Sequence, residues 1–190
     1  MIIDPLFVYL AVLIFGINVI PAFMPPTWVV LAFFYATFHL PLLPTVVIGA
    51  VAATSGRIVL AHIARHHFRP LLPKDTRENY DTLGKFFHTH HHVTLPLLLL
   101  YAFFPLPSNQ VYIIAGLANA DIKIIATSFL FGRLLSYTFW ITTANHLARR
   151  LSDVFGRYLT GGAIIGELVG FGVIFSLGVV NWRKVFRRYL

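Results

Sequence analysis

Residues 15–34 read FGINVIPAFMPPTWVVLAFF, and residues 101–117 read YAFFPLPSNQVYIIAGL. Each is an apolar stretch interrupted by prolines: Pro21, Pro25 and Pro26 in the first, Pro105 and Pro107 in the second. Each is followed, at comparable spacing, by an apolar segment carrying a Gly-Arg pair, Gly56-Arg57 and Gly132-Arg133. The longer first interval contains the PLLP turn at Pro41–Pro44. The halves around the first break, Leu6–Ile20 and Thr27–Leu40, fall short of the ~20 residues a spanning helix needs. Proline lacks a backbone N–H and disfavours helix just upstream of itself. Two short arms around a proline knot therefore read as a re-entrant hairpin, whose broken backbone sits at membrane depth only where protein or a wet cavity satisfies it. The alternative is one kinked span plus an interfacial piece. Paired, interrupted hydrophobic segments in corresponding places are the sequence trace of an inverted repeat, and in transporters they point at the substrate site.

Composition agrees. Apolar residues make up 57% of the 190 and charged residues 12%, against about 45–50% and about 25% in average soluble chains. This is the composition of an integral membrane protein. There is no cysteine, so disulfide and thiol chemistry are excluded. The formal net charge is +8, and in such a chain bunched basic residues report topology and contact with anionic lipid before nucleic acid. The N-terminus lacks a basic region and a small-residue cleavage site, and Asp4 is its only early charge, so it does not read as a signal peptide.

Outward from the breaks, Thr45–Ile63 and Ile124–Asn145 are long enough to cross a bilayer. The first contains Gly49, Ala50, Ala52, Ala53 and Gly56, small residues that let helices approach closely. Arg65–Lys85, with Pro70 and Pro73, reads as a polar loop, and so does Arg149–Thr160. Gly161–Val180 reads as a last span, and the tail at 183–190 as a basic interfacial anchor. The expected fold is an all-α membrane protein: two re-entrant helical hairpins, each followed by a transmembrane helix, plus a C-terminal transmembrane helix. It forms a single domain over 1–182, with repeat one about 5–65, repeat two about 86–148 and the last span about 160–181. With the 65–85 loop and the C-terminus cytoplasmic, ten basic loop and tail residues fall inside and three outside, which satisfies the positive-inside rule. The two hairpin-plus-span units are then antiparallel in a multi-pass protein of the cell membrane.

Arg57 and Arg133 hold matching places in the two repeats, and Glu167 lies in the last span. A charge at the bilayer centre costs ~2.5–3.5 kcal/mol on insertion scales, so such residues face the bundle interior and are paired or functional. Two arginines against one acid leave a surplus positive charge that a lipid phosphate could match, because guanidinium binds phosphate bidentately. The plainer reading has both arginines bonding hairpin carbonyls and Glu167 closing one ion pair. Thr27, Asn18, Ser108 and Asn109 sit at the breaks. Ser108 and Asn109 are good N-caps for the returning half-helix, where free N–H groups favour anions. His88, His90, His91 and His92 cluster, with His62, His66 and His67 across the loop, and His62/His66 and His88/His92 have i, i+4 spacing. A wet, interfacial helix start fits them better than a metal site. Trp28, Trp140 and Trp182 read as belt and core. No nucleophile elbow, triad or phosphate loop is present, so neither enzyme activity nor a cofactor or metal is expected.

The segment FPLPSNQVYIIAGLANADIKIIATSFLFGRLLSYTFW, residues 104–140, resembles the DedA/VTT (SNARE-associated) membrane-protein family in its Pro-x-Pro break, the Ala-Gly after it, the polar turn and the Gly-Arg helix. FMPPTWVV and GAVAATSGR resemble the family's first half. The resemblance implies lipid movement across membranes, as flippase or scramblase, on phospholipids or polyprenyl-phosphate carriers. Bacterial members usually carry an acid just after the first break, where Thr27 and Trp28 stand, and arginines flanking the second, where Ala102 and Ser108 fall. Those departures lean toward passive scrambling or another headgroup. The expected partners are membrane lipids with anionic or phosphate-bearing headgroups and no nucleic acid, with homo-oligomerisation left open. The expected path residues are Arg57, Arg133, Glu167, Thr27, Ser108 and Asn109. The alternatives are a proton-coupled transporter of a small solute or drug working through Glu167, and a non-transport membrane-integrity factor.

Overall fold

The computed structural model describes residues 4–21, 25–104 and 108–146. The expectations for Pro105, Pro107, Glu167, the last span and the basic tail lie outside the described residues. Among those described there are seven α-helices and no strand. They are α1 (Pro5–Val19), α2 (Thr27–Phe38), α3 (Leu42–Ile63), α4 (Lys74–Thr89), α5 (His91–Phe103), α6 (Asn109–Leu117) and α7 (Ile122–His146).

Length separates these helices into two kinds. At 1.5 Å per residue, the 22 residues of α3 and 25 of α7 span roughly 33 and 37 Å, enough for a hydrocarbon core of about 30 Å. Both are apolar enough to cross a membrane. The 15, 12, 13 and 9 residues of α1, α2, α5 and α6 reach only about 13–22 Å, too short to cross singly.

Local chemistry sets the ends. Asp4 caps α1 by accepting a hydrogen bond from Leu6 N at 3.0 Å, and Pro5 occupies its first turn, where no N–H is needed. The helix stops at Ile20, which is extended ahead of Pro21. α2 ends at His39 in the left-handed region, φ 52°, and the turn after α6 uses Asn119 with the same φ of 52°. The expected PLLP turn is mostly helix: α3 starts at Leu42, and Pro44 falls in its first turn, where N–H groups have no intrahelical partner.

A second difference concerns residues 65–85, expected as a loop. The chain there stays helical, continuing α3 through a π-helical turn (Ala64–Phe68) and a 3-10 turn (Arg69–Leu71) before α4 begins. Prolines 70 and 73 shape the joint without removing the helices. α4 forms because its residues segregate. Tyr80, Leu83 and Gly84 are buried, with Leu83 and Gly84 adjacent and Tyr80 one turn before Gly84, whereas Asp75, Glu78 and Lys85 are exposed.

Packing follows a reciprocal pattern. α1 lies on α3 and α5 lies on α7, so each first arm rests on the long helix of its own half. α2 packs on α7 and α6 packs on α3, so each second arm crosses to the long helix of the other half, and α3 and α7 also touch. Exchanging α1, α2, α3 with α5, α6, α7 leaves this set of contacts unchanged. One apolar core joins Leu10, Ile14, Leu31, Phe34, Ala53 and Ile141. A second joins Ala61, Ala102, Tyr112, Ala115, Ile125 and Phe129.

The outside is apolar as well. Val12 is 66% exposed, Leu97 60% and Leu135 57%, while Arg57 and Arg133 are 8% and 6%. Large apolar side chains outward and guanidiniums inward is the arrangement a lipid solvent favours. Hydroxyls within the long helices bond their own backbone, as Thr54 does to the Ala50 carbonyl at 2.7 Å and Ser128 to Ile124 at 3.1 Å.

Candidate functional site

The site is assembled from the two breaks inward. At the first, buried Asn18, in the last turn of α1, donates through Nδ2 to the Ile14 carbonyl at 2.8 Å and to Thr27 Oγ1 at 3.0 Å. Thr27 opens α2, so this bond closes the first helical hairpin across Pro21, Pro25 and Pro26. Helix α2 has Pro26 at its N-cap and no side-chain cap; Thr27 is committed to Asn18.

At the second break, Ser108 occupies the N-cap position of α6 but makes no capping bond, in contrast to its expected role. Asn109 does not cap either. Its side-chain amide donates to the Pro21 carbonyl, 88 residues away, and so ties the two breaks together. A carbonyl of the broken stretch, two residues past the end of α1, is thereby satisfied. The end of α5 is treated in the same way, with Trp140 Nε1 on α7 donating to the Phe103 carbonyl at 3.4 Å. Ser108 and Asn109 are both buried.

The glycines before the arginines are points of backbone contact. A Cβ at Gly56 would lie 2.6 Å from the Phe15 carbonyl oxygen and 2.9 Å from Asn18 Cβ. A Cβ at Gly132 would lie 3.0 Å from the Leu99 carbonyl oxygen and 2.6 Å from Ala102 Cβ. In each case the long helix touches residues three apart on the first arm of its own half, the second of them three before the break. Asn18 and Ala102 thus hold corresponding places, and the arginine follows the contact in both halves.

Both arginines are buried. Arg133 lies over two rings of its own helix face, 4.8 Å from the Phe129 centroid and 5.5 Å from Tyr137. These are cation–π distances, set by residues four before and four after it. Phe129 in turn meets Tyr112 of α6 edge-on, centroids 5.2 Å apart at 84°. Helix α6, which carries Tyr112, packs on both α3 and α7, the helices of Arg57 and Arg133. Tyr112 therefore stands between the two arginine-bearing helices, one helical turn beyond Ser108, whose carbonyl accepts from Tyr112 N at 3.4 Å. Guanidinium N–H groups only donate, and the phenol O–H can donate. The chemistry available here is recognition of an oxyanion.

Asn18 is bonded to Thr27 and Asn109 to Pro21, Gly56 beside Arg57 approaches Asn18, and Arg133 is linked to Tyr112 through Phe129. Tyr112, Phe129 and Tyr137 belong to this set of contacts and were not singled out from the sequence. The readable signal was the aromatic spacing of four on either side of Arg133. Trp28 meets Trp140 at a tilt, centroids 5.7 Å apart and planes 36° from parallel, which joins α2 to α7.

Outside this site, Arg65 donates to the Ala120 carbonyl, and Arg69 to the Leu117 carbonyl at 3.0 Å and to Asp81. Cations thus meet the C-terminal end of α6. The His62 and His66 rings stack, 6.1 Å apart and 4° from parallel. The expected His88/His92 pairing is broken because α4 stops at Thr89 and a new helix starts at His91. Among the described residues no group of three or more His, Cys, Asp and Glu side chains is arranged to hold a metal. Compared with known proteins, the chain matches no family model, no curated protein and no solved structure.

Proposed function

We propose that this chain moves phosphate-bearing lipids across a membrane. The observation that carries the reading is the burial of Arg57 and Arg133 on two long helices that pack on each other and on α6, the helix of Tyr112, next to proline breaks joined by the Asn109–Pro21 bond. A charged group in a lipid-embedded helix is expensive, and two of one sign in one neighbourhood more so. The apolar segments hold two arginines, Arg57 and Arg133, and one acid, Glu167. A phosphate passing between the arginines is matched to their charge and geometry through bidentate bonds.

In this reading α1–α2 and α5–α6 are re-entrant hairpins dipping from opposite faces, each followed by a full span. The reciprocal helix packing supports it, since an internal two-fold relation of the halves produces that pattern. So does the resemblance to the DedA/VTT family. The headgroup slides along the polar seam at the breaks while the acyl tails stay in lipid. Thr27, Ser108 and Asn109 hold the seam, and the two arginines guide the phosphate. The cytoplasmic side carries residues 65–85.

The test is one-sided quenching of fluorescent phospholipid in vesicles holding wild type, Arg57→Ala or Arg133→Ala. Each substitution removes a charge-assisted contact worth about 1.5–3 kcal/mol, so lipid movement falls about tenfold or more. Full movement in both folded variants refutes the phosphate-guide role.

A further inference from the structure

Tyr112 stands out among the buried polar groups. It is 0% exposed, and its hydroxyl has no hydrogen-bond partner among the described residues. A buried hydroxyl without a partner forfeits the bonds it made to water, so such groups are rare and call for an explanation. Its surroundings supply one. The ring is fixed edge-on against Phe129, and the same Phe129 carries the Arg133 guanidinium on its face. The ring's helix is also held fast: Gly116 packs against the Ala61 carbonyl of α3, four residues after Arg57, and Arg69 grips the Leu117 carbonyl. The hydroxyl is therefore a pre-positioned group between two arginine-bearing helices, so ordering it on binding costs little. Arginine has no acceptor to offer the phenol proton. An incoming oxyanion does.

We infer that Tyr112 is the third donor of an oxyanion site, its O–H completing the set begun by Arg57 and Arg133 for a phosphate group. The inference rests on the reading of those arginines as phosphate guides, and it names the residue that fixes the position of the phosphate between them. Two fixed charges attract any anion; a directional phenol bond holds one oxygen in place. The same chemistry serves a lipid headgroup and a free phosphate ion.

The experiment is isothermal titration calorimetry on the full chain in an uncharged detergent, with two probes: inorganic phosphate and short-chain dihexanoyl phosphatidic acid. Wild type is compared with Tyr112→Phe and with Tyr80→Phe, a buried tyrosine of α4 outside this site. Tyr112→Phe is expected to weaken binding by about ten- to a hundredfold, the worth of a hydrogen bond to a charged acceptor, while Tyr80→Phe binds as wild type. Without ligand, the thermal midpoint of Tyr112→Phe stays level or rises, because the substitution deletes a buried hydroxyl that none of the described residues satisfies. Binding of the lipid probe alone assigns the site to a headgroup with its glycerol; equal binding of both assigns it to phosphate itself. Wild-type-like affinity in Tyr112→Phe overturns the inference, as does a lowered midpoint, which would mean that the hydroxyl holds the fold. Failure of wild type to bind either probe also overturns it. If the calorimetry behaves as expected but vesicles show no lipid movement, the translocation reading fails and the site stands. If lipid moves but Tyr112→Phe binds normally, only this inference fails.

Discussion

Replacing Gly56 by alanine tests whether the long helices hold their hairpins through direct backbone contact. The added methyl would stand 2.6 Å from the Phe15 carbonyl oxygen, about 0.8 Å inside ordinary contact at 3.4 Å. The obstacle is backbone, so relief requires α1 to move bodily or α3 to bend. Overpacking of this kind costs about 1–3 kcal/mol. Alanine also has a better helix propensity than glycine by about 0.8–1.0 kcal/mol, which masks part of the loss. Gly16 provides the matched control: it too is helical, and a Cβ there meets nothing within 4 Å. Gly16→Ala therefore keeps the propensity gain without the clash, and the difference between the two variants isolates the steric cost at about 1–3 kcal/mol. For a chain of 190 residues a kcal/mol moves the unfolding midpoint by about 2–4 °C. Circular dichroism melts in detergent should place Gly56→Ala below Gly16→Ala by at least a few degrees. Because Asn18 Cβ is the next atom in the way, at 2.9 Å, the Asn18–Thr27 bond that closes the first break should loosen together with α1. Equal midpoints would refute the close approach of α1 and α3.

Asn109→Ala removes the donor to the Pro21 carbonyl and should destabilise by about 1–3 kcal/mol, the range for stranding a buried polar group. Ser108→Ala, which loses no capping bond, should melt nearer wild type; the two midpoints decide. His39→Gly relieves a left-handed backbone at φ 52° that costs a side-chain residue roughly 1–2 kcal/mol, so the midpoint should rise; a fall would contradict the assigned conformation. Burial pushes the Tyr80 hydroxyl from the usual 10.0 up to about 12. A folded-state value above the unfolded one means the unfolded chain releases its proton first. Stability should therefore be full below pH 10 and fall between pH 10 and about 12, and Tyr80→Phe should abolish that component of the loss in alkaline melts.

The breaks and long helices were legible because their signals are local. Proline acts on its own residue and the one before it, which is why the gap after Ile20 and the start at Thr27 could be read directly. Helix length and hydropathy likewise picked out α3 and α7. Residues 65–85 misled for a local reason of the opposite kind: their charges and prolines hid the spacing of Tyr80, Leu83 and Gly84, which turns α4 toward α6. The paired arginines were visible as Gly-Arg repeats, and the glycines prove to be contact points. Asn109 looked like a cap because capping is the common local use of that residue; its bond to Pro21 depends on a neighbour 88 positions away. Tyr112 sat unnoticed in an apolar run because nothing within its own helix marks it. Its significance comes from α3 and α7.

The central claim is that lipid crosses through this protein, and one-sided quenching answers it most directly. The purified chain is reconstituted into vesicles containing fluorescent phospholipid in both leaflets, and a membrane-impermeant quencher is added outside with no ion gradient. Lipid translocation through the chain predicts quenching well beyond the outer-leaflet half of the dye, lost when Arg57 and Arg133 are replaced together. Quenching that stops at the outer leaflet, as in protein-free vesicles, would contradict it.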